Sequence, residues 1–99
     1  MEGKMNHPKL VSEILGGEPY EYYPLGEHVV IAPGVCGGRP TFKGTRFEVQ
    51  VVMDLLAAGW DVERILDEYR PIGITREAVR EAIHLAEDAL RTRAAALAA

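Results

Sequence analysis

The chain has 99 residues, a net charge of −4, and a composition that is 47% hydrophobic and 26% charged. That length makes a single domain with little room for both a core and a large enclosed active site. The acidic balance excludes a uniformly basic nucleic-acid coat but leaves local basic patches open.

Residues 1–27 read as an N-terminal extension with net charge −3. Leu10, Val11, Ile14 and Leu15 follow Pro8 at helical spacing, which predicts one or two short helical turns ended by Gly16, Gly17 and Pro19. Tyr20, Tyr22, Tyr23 and Leu25 have no core of their own and are expected to lie over the main body or over a second subunit. The domain proper is expected over residues 28–99. His28–Ala32 is a β-branched run ended by Pro33 and Gly34, which predicts a short strand. Gly34–Gly38 is a flexible turn. Thr41–Phe47 predicts a second, irregular strand, with Gly44 marking a bulge or a close backbone approach.

After Phe47 the hydrophobic period changes from 2 to 3.6. Val49, Val52, Met53, Leu56 and Trp60 form one helical stripe, which Gly59 closes. Asp61 is placed to cap a second helix whose stripe is Val62, Ile65, Leu66 and Tyr69. Pro71 and Gly73 interrupt the chain, and Thr75 is placed to cap a third helix. That helix would bury Val79, Ala82, Ile83, Ala86, Leu90 and Leu97. The expected fold is mainly α with a short β arm: an extension, two short strands, then three helices. Open strand edges are usually paired or covered, so a homodimer is expected, with Val29, Val30, Ile31 and Phe42 buried between subunits.

Chemistry is sparse. GGRPTFKGT has the glycines and lysine of a phosphate-binding loop, but Lys43 precedes Gly44 and no βαβ unit follows. His84 has Glu81, Glu87 and Asp88 within helical reach, which reads as a solvated ion-paired face rather than a metal site. Cys36, the single cysteine, excludes an internal disulfide and has no visible activating base. No catalytic residue, metal, cofactor or small-molecule substrate is therefore expected. No apolar run reaches the ~18 residues of a membrane helix, and MEGKMNHPKL has no signal-peptide core, so a cytoplasmic protein is expected. A short helix, a turn and a longer helix match the plan of a helix-turn-helix. Its DNA contacts would be Thr75, Arg76 and Arg80, with Arg39, Lys43 and Arg46 as a second phosphate-binding group.

VVIAPGVCGGRPTFKGTRFEV, then LLAAGWDVERILDEY and TREAVREAI, resemble domain-of-unknown-function family 433 over about residues 28–90. The residues that carry the likeness are Pro33, Gly34, Gly38, Pro40, Gly44, Thr45, Arg46, Leu55, Leu56, Gly59, Ile65, Leu66, Tyr69 and Thr75. The resemblance implies a VapB-like antitoxin with a homeodomain-like helix-turn-helix, binding operator DNA and a PIN-like ribonuclease toxin. The alanine-rich C-terminal helix and the tyrosine-rich extension are both candidates for the toxin contact. This chain departs from the family pattern in two places. The turn after Tyr69 is two residues longer, and Phe47 and Glu48 replace a hydrophobic residue and proline. Thr45 and Glu48 could form a capping box that starts the first helix earlier. The competing reading is a dimeric interaction module that never touches DNA.

Overall fold

The structure is a computed structural model that describes residues 9–98. Four strands, β1 (Val11–Leu15), β2 (Glu18–Pro24), β3 (Val29–Ile31) and β4 (Thr41–Phe42), precede three helices, α1 (Val49–Ala57), α2 (Val62–Glu68) and α3 (Arg76–Ala98). The strands form one antiparallel sheet in the order β1-β2-β3-β4.

The expected arm of two short strands is therefore an underestimate, and the first two strands come from the segment read as an extension with helical turns. Leu15 pairs with Glu18, leaving Gly16 and Gly17 as a two-residue loop with φ of 60° and 82°. Two successive positive φ values make the tight turn whose twist suits a β-hairpin. The apolar spacing of Leu10–Leu15 fits a helix, but the glycine pair turns the chain back before a helix can propagate. Tyr20 and Tyr22, two apart, share a sheet face, with ring centroids 5.1 Å apart. Tyr22 is buried with Val30 and Ala32, so the tyrosine-rich segment lies over the chain's own body. Pro8 and the residues before it lie outside the described residues.

Val29 and Val30 face opposite sides of the sheet and both are buried. Val29 and Phe42 join Val52, Ile65, Ala78, Val79 and Ala82 in the main core, while Val30 joins Tyr22 and Ala32 beneath the hairpin. The residues expected to be covered by a second subunit, Val29, Val30 and Phe42, are thus covered within one chain; Ile31 is half-buried and pairs with Tyr23. The helices cover Val29 and Phe42, and the outer hairpin covers Val30.

The helical stripes of α1 and α2 pack as their spacing predicts: Val49, Val52, Met53, Leu56, Trp60, Val62, Ile65, Leu66 and Tyr69 all contribute to the main core. The Asp61 carboxylate accepts from the Arg64 amide at 2.8 Å and the Thr75 hydroxyl from the Ala78 amide at 3.1 Å, so both caps form. The lengthened turn before α3 is taken up by a 3₁₀ turn, Arg70–Ile72, closed by Gly73 at φ 81°. Only the first half of α3 meets the core. From Ala86 to Ala98 the helix is exposed, with Leu90 and Leu97 bare at 71% and 76%. The expected burial of Ala86, Leu90 and Leu97 does not occur, because the two shorter helices end before reaching them.

Candidate functional site

The segment with the most distinctive sequence, residues 34–48, is held by its own side chains. β4 ends at Phe42, two residues into the predicted strand, because Lys43 and Gly44 turn the chain. The Thr45 amide donates to the Phe42 carbonyl at 3.0 Å, with Gly44 at φ 79° in the third position of the turn. That is the conformation of a type II turn and favours glycine there. The Gly44 amide donates to the Tyr20 hydroxyl at 2.9 Å, tying the turn to the hairpin. The Thr45 hydroxyl donates to the Phe42 carbonyl at 2.7 Å and accepts from the Phe47 amide at 3.0 Å. Thr45 is therefore consumed within the turn. The expected capping box does not form, and α1 starts after Glu48, which makes no side-chain cap.

Glu48 instead receives both arms of Arg39, at 2.9 and 3.1 Å. This two-point pairing holds the Glu48 carboxyl below its ordinary range and raises Arg39 above its own. The Cys36 thiol donates to the Arg46 carbonyl at 3.2 Å, across the same loop. The Gly-Arg-Pro and Gly-Thr-Arg elements thus form a self-supporting turn, which accounts for their spacing without a bound phosphate.

Two more of these basic residues, Lys43 and Arg76, are also engaged. Lys43 lies 3.3 Å from the Glu13 carboxylate and 5.2 Å from the centre of the Tyr22 ring. The Tyr22 hydroxyl donates to Glu13, and this hydrogen bond, followed by Lys43, holds the Glu13 carboxyl below its ordinary value. Contact with Tyr22 and then Glu13 raises the Lys43 ammonium correspondingly. Arg76, at the start of α3, pairs with Glu63 of α2. Among the described residues, Arg46 and Arg80 form no ion pair. Arg80 borders a cleft of about 150 Å³ with Val62, Arg76, Val79 and Ile83. Of the six expected DNA contacts, Lys43 and Thr75 line one cleft of about 240 Å³, and Arg76 and Arg80 line the cleft of about 150 Å³. Thr75 caps α3, Arg39, Lys43 and Arg76 are each matched by a carboxylate, and Arg46 shares a surface cleft with Thr45, Phe47 and Ile72, the last in the turn before α3.

Sequence reasoning missed Glu81. It was expected on the wet face of α3 beside His84. His84 does pair with Glu87, at 3.3 Å, but Glu81 turns toward the sheet. Its carboxylate accepts from three successive backbone amides: Glu27 at 2.9 Å, His28 at 2.7 Å and Val29 at 2.8 Å. This clamp locks the β2–β3 connection onto α3. No local signal could have found it, since the partners lie more than 50 residues apart. Among the described residues, no group of His, Cys, Asp and Glu could hold a metal ion, and no helix is long and apolar enough to cross a membrane.

A family model matches residues 29–86, more than half of the chain: DUF433, protein of unknown function. The chain belongs to the DUF433 family. The match runs from β3 into the first half of α3 and so covers the turn, the clamp residue and all three helices, while the outer hairpin and the bare end of α3 lie outside it. No curated protein and no solved structure matches the chain.

Proposed function

We propose that this DUF433 chain is a protein-interaction module of the antitoxin kind, whose partner is a PIN-like ribonuclease toxin. The observation that carries the reading is where the apolar surface is left uncovered. Ile14 and Leu15 stand 73% and 47% exposed on the edge strand β1, and Leu90 and Leu97 stand bare on α3. Uncovered apolar groups on an open sheet edge and on a projecting helix are features of surfaces that meet another protein. The toxin class comes from the family resemblance. The test is co-expression with a PIN-like ribonuclease encoded beside the gene. The two should co-purify and the ribonuclease should be inhibited. Absence of such a neighbour, or full nuclease activity in the presence of this chain, refutes the assignment.

Operator binding is the second reading. It is favoured by the order of the three helices, by the Thr75 cap that starts the long α3, and by Arg46 and Arg80, which no described carboxylate neutralises. It predicts a salt-dependent gel shift that is weakened by Arg76→Ala and Arg80→Ala. Equal shifts for wild type and both variants at matched salt would remove α3 as a DNA-reading surface.

A further inference from the structure

The exposed end of α3 carries a pattern that fits a second copy of itself. Ile83, Leu90 and Leu97 recur at seven-residue intervals, with Ala86 and Ala94 between them, so they form one stripe along the helix. At its inner end the stripe runs into the core through Val79 and half-buried Ile83; beyond Ala86 nothing among the described residues covers it. Charge is divided along the same segment, with Glu87 and Asp88 nearer the body and Arg91 and Arg93 nearer the tip.

We propose that two copies of this chain pair antiparallel through their α3 ends, about a two-fold axis at Leu90. In that register Leu90 meets the partner's Leu90, Ile83 meets the partner's Leu97, and Ala86 meets the partner's Ala94. The alanines let the helix backbones approach closely between the larger residues. Glu87 lies on the same side of the seam as the partner's Arg91, within reach of an ion pair. The Asp88–Arg91 and His84–Glu87 pairs made within the helix are exposed and exchangeable. A parallel arrangement would place Arg93 against the partner's Arg93 and each acidic pair beside its equal. The antiparallel one removes both repulsions and sets the helix dipoles head to tail. The lengths also agree. From Ile83 to Leu97 the helix runs about 21 Å, so Leu97 reaches the edge of the other copy's core at its Ile83. There the small cleft of Val62, Val79 and Ile83 lies open beside the incoming Leu97. The interface is isologous, as closed two-fold dimers require.

The proposal rests on reading the α3 end as an interaction surface, and the test separates the two. Sedimentation equilibrium of the full chain at micromolar to sub-millimolar concentrations should give a dimer of twice the 10.9 kDa chain. Leu90→Asp should give a monomer with an unchanged circular dichroism spectrum, since Leu90 touches no core residue. In a Cys36→Ser background, Leu90→Cys should form a disulfide-linked dimer on mild oxidation. Ala86→Cys alone should not, whereas Ala86→Cys mixed with Ala94→Cys should. A chain that stays monomeric throughout, or Ala86→Cys chains that link to one another, overturns the antiparallel pairing. A monomer that captures the ribonuclease and loses it on Leu90→Asp rejects self-pairing and keeps the interaction reading. A linked dimer that captures no ribonuclease keeps self-pairing and rejects the antitoxin reading.

Discussion

Removing the Glu81 carboxylate should unfasten the sheet from α3. In Glu81→Ala, three amides lose their acceptor at once. The Glu27 amide is exposed and water replaces the lost bond at little cost. The Val29 amide belongs to a residue only 2% exposed, and the His28 amide is part-buried. Leaving a buried donor unmet costs about 1–3 kcal/mol, and both bonds are part-buried, which puts each at about 1–2, so the two together predict a loss of about 2–4 kcal/mol. For a domain near the low end of ~5–15 kcal/mol this is a large share of the total. At roughly 4–8 °C per kcal/mol for a domain this size, the melting midpoint should fall by about 8–30 °C. Urea unfolding followed by circular dichroism reads the same quantity. Glu81→Gln can place its one acceptor oxygen where Oε2 serves both His28 and Val29, and should lose well under half as much. Gly26→Ala offers an independent approach, because its Cβ would stand 2.6 Å from the Glu81 carboxyl and displace it. If Glu81→Ala loses less than about 0.5 kcal/mol, the three bonds do not hold the sheet to the helix and the reasoning fails.

Other substitutions test separate parts of the fold. Thr41 is fully buried and its hydroxyl has no hydrogen-bond partner among the described residues, so Thr41→Val should raise stability by about 1 kcal/mol in the same urea assay; a loss would show that the hydroxyl is satisfied. Gly44→Ala should cost about 1–2 kcal/mol from its φ of 79° alone, since Leu15, at 3.8 Å, leaves room for the methyl group; a neutral result would mean the turn can relax. Val52→Ala, in the centre of the main core, should cost about 2–3 kcal/mol, and a much smaller loss would indicate that the three helices close over the gap. Glu48 and Glu13 have folded-state values below the ordinary 4.5, so each contributes a small stability that is present above that value and lost as pH falls through its lowered one. Carboxyl NMR titration should find Glu48 returning toward 4.5 in Arg39→Ala, and an unmoved midpoint would show that Arg39 is not the cause.

The helices were legible because their order is written in local terms. The stripes over residues 49–69 repeat with the helical period, Asp61 and Thr75 sit where orphan amides need acceptors, and both caps form as read. The outer hairpin was written just as locally. Gly16-Gly17 stands between VSEIL and EPYEYYP, and a glycine pair between two strand-length runs signals a two-residue hairpin turn. The helical spacing of Leu10–Leu15 obscured it, because a window that short satisfies either period. The pairing of the basic residues was hidden for a different reason. A side chain's charge is plain in the sequence, but the carboxylate that matches it is not: Arg76 meets Glu63 across a helix pair, and Lys43 meets Glu13 across the sheet.

By itself, then, the sequence determined three helices, the caps of the second and third, and membership of the DUF433 family. Periodicity, capping and backbone conformation act within a few residues, and those determinants lie together in the chain. The tertiary structure decided which charges are spent, that Glu81 fastens the sheet, that the hairpin rather than a second subunit covers Val30, and that Leu90 and Leu97 remain bare. Each of those depends on groups brought together from distant parts of the chain, where packing and desolvation set the outcome and local propensity has no say.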